Sequence, residues 1–225
     1  MSIASEITRL QNAKAAIKAA IEAKGVTVGD ETLDEYSDLI EQIVLDEVLK
    51  GIMNKTIDNL SLPDGITSIP GYFFFSHTNL ISAEGSTIDK IETRAFQSCT
   101  KLTSINFPNL TGVSGVAFAQ TGLVNIVLDK IVSLNTQSFI ECKKLVSVDL
   151  ADTITTIGSD CFKSCNLLQS VTIRAITPPT LGSGAFDSNA SGRKIYVPSA
   201  SVNAYKTATN WSAYAADIEA IPTNS

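Results

Sequence analysis

Little in this chain suits chemistry at a single reactive side chain. Its 225 residues include one histidine, one tryptophan, two methionines and four cysteines. Metal and redox sites therefore have few ligands to draw on. No apolar run approaches the ~20 residues a membrane-spanning helix requires, and residues 1–25 lack the uninterrupted apolar stretch of a secretion signal. Basic residues are the minority, 17 Lys and Arg against 23 Asp and Glu for a net charge of −6. That balance disfavours a broad nucleic-acid surface, where cations must displace counterions from phosphates. No G-x-S-x-G, HExxH, Walker A or G-x-G-x-x-G motif is present. What the chain does have is apolar residues, 44% against 18% charged, with a mean hydropathy of +0.16. This composition describes a folded chain with a sizeable core.

Acidic charge is unevenly placed. Residues 1–50 carry ten acids against five bases, while residues 51–225 carry thirteen against twelve, which marks a boundary near residue 50. The first region reads as two helices. Ser2 suits an N-cap, Ile3, Ile7, Leu10, Ile17 and Ile21 form an apolar stripe, and Lys24 with Gly25 makes a C-terminal stop. Thr32 and Glu35 then form a capping box before Leu33, Tyr36, Ile40 and Ile43. The acidic run between Gly25 and Leu49 reads as a solvated helix face. In heptads, Ile3, Leu10 and Ile17 share one seam and Ile7, Lys14 and Ile21 the other. Two arrangements stay open: an intrachain helical hairpin, or a homo-oligomer through residues 1–24.

From residue 51 a repeat governs the chain. Phe74, Phe96, Phe118, Phe139, Phe162 and Phe186 follow at intervals of 22, 22, 21, 23 and 24. Five residues before each stands Ile69, Ile91, Val113, Leu134, Ile157 or Leu181, and three earlier, in the first five, Ile66, Ile88, Leu110, Ile131 or Ile154. After the phenylalanine come Leu80, Leu102, Leu123, Leu145 and Leu168, then Ala83, Ile105, Ile126, Val148 and Val171. Phe107, Leu128, Leu150 and Ile173 close four of the units. Alternation in Leu102 to Phe107 predicts a short half-buried strand, stopped by Pro108. A second extended piece precedes each phenylalanine, as in Ile154 to Ile157, and the phenylalanine segment predicts a single turn or short helix. So small a unit buries its apolar face only by stacking on its neighbours.

Three residues after the phenylalanine stands a column of His77, Cys99, Thr121, Cys142 and Cys165. This reads as an interior column serving backbone groups, His77 included. The spacing of Cys161 and Cys165, with no paired CxxC and no neighbouring His, argues against zinc. Whether Cys142 and Cys165 are thiols or a disulfide stays open. At the amino end, Gly51 to Pro63 resembles the second half of a unit, capped by the helical region. At the other end, Lys194 to Val197 reads as a strand, and Ala200 to Ile218 as one or two helices with Tyr205 and Trp211 packed inward as a cap.

The pattern I-x-x-I-x-x-x-x-F-x-x-C-x-x-L-x-x-I-x-F-P, nearly whole in Ile88 to Pro108 and in Ile154 to Ile173, resembles the BspA-like leucine-rich repeat family of bacteria. Thr177 to Tyr205, with Trp211, is similar to that family's carboxyl-terminal cap. The first unit departs at Ala83 and Gly85, and the third is one residue short after Phe118. The resemblance implies an α/β repeat fold: a leucine-rich-repeat solenoid of about six ~22-residue coils, with short strands plus turns or short helices. It would have a helical region at 1–50, the solenoid at 51–198 and a helical cap at 199–225. Residues 1 to about 45 resemble a module at the start of phage or prophage tail-associated proteins, which fits a chain beginning at Met1 without an export signal.

The family resemblance implies a non-enzymatic binding or adhesion protein, on a bacterial cell surface or in a virion tail, without cofactor or metal. The expected partner is a protein or a cell-surface glycan, with no nucleic acid and no membrane span. Its contact positions would be the outward strand residues Asn59, Ser61, Ser104, Asn106, Asn125, Val127, Ser147, Asp149, Ser170 and Thr172. These are small and polar, and no aromatic cluster lies among them. The alternative function is a purely structural spacer or scaffold of a prophage tail.

Overall fold

The computed structural model describes residues 54–223. The chain divides after Asn54 into two compact units, and the second carries every element below. The helices, the heptad seam and the capping role expected of residues 1–50, and the start of the Gly51 to Pro63 half-unit, lie outside the described residues.

Strands alternate long and short along the chain. They begin with β1 (Asn59–Ser61), β2 (Ser68–Ile69), β3 (Ser82–Glu84), β4 (Lys90–Ile91), β5 (Ser104–Asn106), β6 (Gly112–Val113) and β7 (Asn125–Leu128). They continue with β8 (Ser133–Leu134), β9 (Ser147–Leu150), β10 (Thr156–Ile157), β11 (Ser170–Ile173), β12 (Thr180–Leu181), β13 (Lys194–Val197) and β14 (Ile218–Ala220). The two-residue strands stack in order as one six-stranded parallel sheet, and the longer ones form a second wall in two pieces, β1-β3-β5 and β7-β9-β11-β13-β14. The described residues thus form a parallel solenoid of about seven coils of ~23 residues. Against the expected six, the row of longer strands runs on at its end through β13 and β14.

The apolar repeat fills the space between the walls. Ile69, Ile91, Val113, Leu134, Ile157 and Leu181 point inward from the short strands, and Leu60, Ala83, Ile126, Val148, Val171 and Ile195 from the long ones, all buried. The six phenylalanines stack as a single file, with centroids 5.1, 5.2, 5.2, 5.3 and 5.6 Å apart and planes within 10° of parallel. These separations lie in the range preferred by offset aromatic pairs, and they track the spacing of neighbouring strands.

The phenylalanine segment is not a helix. It is a run of turns in which the residue two before each phenylalanine (Tyr72, Arg94, Val116, Gln137, Asp160, Gly184) and the residue two after (Ser76, Ser98, Gln120, Glu141, Ser164, Ser188) have φ between 53° and 66°. A left-handed residue costs a non-glycine side chain ~1–2 kcal/mol and breaks a right-handed helix. Hydrogen bonds hold it in place. Tyr72, Phe74 and Ser76 donate to the carbonyls of Thr93, Ala95 and Gln97 in the next coil, while Phe73, Phe75 and His77 donate to residues three back in their own coil. The same alternation recurs at Arg94, Phe96 and Ser98 and at Gln137, Phe139 and Glu141, so the backbone N–H groups of these turns are given acceptors by stacking.

The column three after the phenylalanine serves these carbonyls. Cys99, Cys142 and Cys165 point their thiols at the carbonyls of Phe74, Phe118 and Phe139 in the preceding coil, at 3.0, 3.1 and 3.2 Å. Thr121, with its shorter reach, donates to Phe118 of its own coil at 2.9 Å. Asn189 takes the same place in the sixth turn and donates to Phe162 at 2.7 Å. All four cysteines are free thiols. His77 is buried in the column, edge-on to Phe74.

The carboxyl end closes the stack. After β13 come a 3-10 turn at Ser199–Ser201, helix α1 (Val202–Thr207) and a 3-10 turn at Trp211–Tyr214. The chain then returns as β14, parallel to β13 with Ile218 opposite Ile195. The helical pieces, with Tyr205 and Trp211 inward, agree with the expected cap. The added strand was not expected from the sequence.

Candidate functional site

Among the described residues the wall of longer strands is interrupted once. Successive strands pair in register from β1 to β5 and again from β7 to β14, but β5 and β7 belong to different sheets. The interruption coincides with the short unit. From phenylalanine to the next core leucine there are six residues in the first, second, fourth and fifth units, and five from Phe118 to Leu123. In the full-length turns the leucine N–H donates to the column residue, as Leu102 does to Cys99 at 3.0 Å and Leu145 to Cys142 at 3.0 Å. In the short one Gly122 runs hard against the coil before it. A Cβ placed there would stand 2.5 Å from the Thr100 carbonyl oxygen, so the shortened path requires glycine.

At the seam the wall opens into a cleft of about 280 Å³. Its apolar surface is Ile105, Phe107, Pro108 and Val127, and its polar groups are the Asn106 and Asn125 amides and the Asp129 carboxylate. Ile105 is only half-buried, whereas its counterparts Leu60, Ala83, Ile126, Val148 and Val171 are buried. Val127 is 61% exposed, an apolar side chain held in water. A second groove of about 380 Å³ is lined by Ser61, Asp64, Glu84 and Ser86 and shares Asn106 and Pro108 with the first. Neither groove is lined by lysine or arginine.

The structure places the expected contact residues in two groups. Asn59, Ser61, Ser104, Asn106, Asn125 and Val127 are exposed on β1, β5 and β7, and of these Asn106, Asn125 and Val127 meet at the cleft. Ser147, Asp149, Ser170 and Thr172 lie on β9 and β11 and are half-buried. Ser147 donates to the Asn125 side-chain oxygen at 2.6 Å, fixing which way that amide faces. Asp149 is held in a two-pronged pair by Arg174, at 2.9 Å from Nε and 2.6 Å from Nη2. That pairing, with Asp129 and Asp152 nearby, raises the guanidinium pKa. Ile105, Phe107, Pro108 and Asp129 also line the cleft; the sequence marks the first three as repeat or strand-stop positions and none of the four as a contact residue. Their signal was the five-residue step from Phe118 to Leu123.

The remaining reactive groups are committed to the interior. Burial pushes the Cys99 thiol up to about 12 and raises Cys161, while Cys165 is raised by its hydrogen bond with Cys142 and by burial. Among the described residues no three His, Cys, Asp or Glu side chains gather to hold a metal ion, and no helix is long and apolar enough to cross a membrane.

No curated protein matches the chain. Among solved structures, a Treponema pallidum leucine-rich repeat protein is similar at 21% identity over 65% of this chain and 80% of that one, with a TM-score of 0.52. The pneumococcal vaccine antigen PcpA is 17% identical over 74% of this chain and 42% of its own, with a TM-score of 0.49. A Bacteroides ovatus leucine-rich repeat protein is also 17% identical, over 75% and 61%, with a TM-score of 0.34. The BspA type leucine rich repeat region matches in six copies over residues 36–142 and 111–210. That span begins at Tyr36, upstream of the first repeat phenylalanine, and takes in the phenylalanine file, the seam and α1; the chain belongs to the BspA-type leucine-rich repeat family.

Proposed function

We propose that this is a non-enzymatic recognition protein that meets its partner through the wall of longer strands, with the seam cleft between β5 and β7 as the principal contact. One observation carries the reading: three of the outward residues, Asn106, Asn125 and Val127, converge on an opening where the otherwise continuous sheet is interrupted. A ligand there meets fixed backbone, two amides and an apolar side chain exposed to water, which is the mixture a binding surface needs. The imidazole of His77, which a hydrolytic triad would require, is buried in the column beside Phe74. Membership of the BspA-type family supports display on a bacterial surface.

The test is binding of fluorescently labelled protein to bacterial and host cells. Asn106→Lys with Asn125→Lys should abolish it while leaving the melting temperature unchanged, since both side chains are exposed. Binding that survives both substitutions removes the cleft from the reading and leaves the stack as a spacer.

A further inference from the structure

Resting on that reading, we infer that the two adjacent grooves take a neutral oligosaccharide, laid from the seam across Pro108 toward Ser61. The polar groups facing the cleft are two primary amides and one carboxylate. An amide offers a donor pair and an acceptor side by side, and a carboxylate offers two acceptors; both match adjacent hydroxyls on a sugar ring. Asn125 is presented in one orientation because its oxygen already accepts from Ser147, leaving its N–H groups to give to a ligand oxygen. Val127 and Pro108 supply the apolar surface on which the C–H face of a ring would rest.

Size and charge narrow the ligand further. The cleft, at about 280 Å³, lies just below the ~300 Å³ lower end of sites for drug-sized molecules, a scale suited to one or two sugar units. The adjoining groove shares Asn106 and Pro108 with it and continues with the Ser61 hydroxyl, the Glu84 carboxylate and the Asp64 carboxylate, which already accepts from Ser86 Oγ, so a longer chain has further acceptors and a hydroxyl donor to meet. With no lysine or arginine lining either groove and three carboxylates present, an acidic sugar would be repelled. A peptide added as a strand needs a sheet edge open to solvent along its length, and the edges of β5 and β7 face each other across the seam.

Saturation-transfer difference NMR on the full chain tests this with maltotriose, mannotriose and chitotriose, their monosaccharides, and 3′-sialyllactose as the anionic control. The expected result is a neutral trisaccharide with Kd of ~1 mM or tighter and at least about tenfold, ~1.4 kcal/mol, above its monosaccharide. That signal should be lost in Val127→Glu and in Asn125→Ala, two exposed sites whose substitution leaves the melting curve in place. Three results overturn the inference: no transfer to any neutral trisaccharide, transfer to sialyllactose alone, or transfer that persists in both variants. If cell binding is lost in the Asn106→Lys, Asn125→Lys protein but no saccharide binds, the oligosaccharide is wrong and the recognition reading stands. If cell binding survives those substitutions, the recognition reading itself has failed.

Discussion

The hydroxyl of Tyr214 accepts the backbone N–H of Phe186 at 3.3 Å, the place where, one coil earlier, the N–H of Phe162 meets the carbonyl of Ala185 at 2.8 Å. The cap therefore stands in for a coil that is not there. Trp211 Nε1 donates to the Pro179 carbonyl at 2.8 Å and Asn210 Nδ2 to that of Leu181 at 2.6 Å. Both carbonyls lie on or beside the outermost short strand, and in earlier coils the equivalent carbonyls of Val132 and Leu134 accept from Thr155 and Gly158. Arg193 closes the phenylalanine carbonyl ladder by donating from Nη1 to Phe186 at 2.6 Å, and pairs with Asp217 through Nη2. An edge that would otherwise template a further strand is thus satisfied by side chains.

Replacing Tyr214 with Phe leaves the Phe186 N–H buried without its acceptor. The expected loss is ~1–3 kcal/mol, read as a lower urea midpoint at unchanged m-value. Trp211→Ala, which removes the ring below Phe186 as well as the donor, should cost more, ~3–5 kcal/mol. A Tyr214→Phe protein as stable as wild type would refute the cap's role.

The phenylalanine file makes a second, graded prediction. Phe139 has a ring on either side and no exposure, so Phe139→Ala should lose ~3–5 kcal/mol. Phe73 is 44% exposed on the turn of the first phenylalanine, and Phe73→Ala should lose much less. Equal losses measured by thermal or urea unfolding would contradict the stack as the core.

Alkaline pH should weaken the fold. Burial raises the Cys99 thiol from 9.0 to about 12, and burial together with the hydrogen bond to Asp187 raises the Tyr214 phenol from 10.0 to about 12. The unfolded chain releases these protons at their ordinary values while the folded protein still holds them. Stability is therefore unaffected by these groups below about pH 9 and falls as pH rises from there through about 12. Urea midpoints taken across that interval should decline steadily, and a flat or rising series would show these groups to be free in the fold.

Much of this architecture is legible in the residues and some of it is not. The core positions and the column could be read because stacking forces the same side chain into the same place in every coil, as Cys99, Cys142 and Cys165 show. The left-handed positions could not: Tyr72, Arg94, Val116 and Gln137 are ordinary residues with no glycine or asparagine signature, and hydrogen bonds from the neighbouring coil fix their backbone. The strand β14 was hidden because Ile218 is its one buried residue, which gives no alternation to detect. For the site, the outward residues were readable by alternation alone. Which of them converge depended on whether a five-residue step would leave β5 and β7 unpaired, and no single residue states that.

The seam itself admits a direct test. Inserting one lysine between Thr121 and Gly122 restores the six-residue step found from Phe139 to Leu145. Cell binding of this variant, compared with the parent alongside amide hydrogen exchange at Asn125 to Leu128, bears on the central claim that the missing residue makes the recognition cleft. The account predicts slower exchange across β7 as the two sheets join, a melting temperature at or above that of the parent, and loss of binding. Slowed exchange with binding undiminished would contradict it.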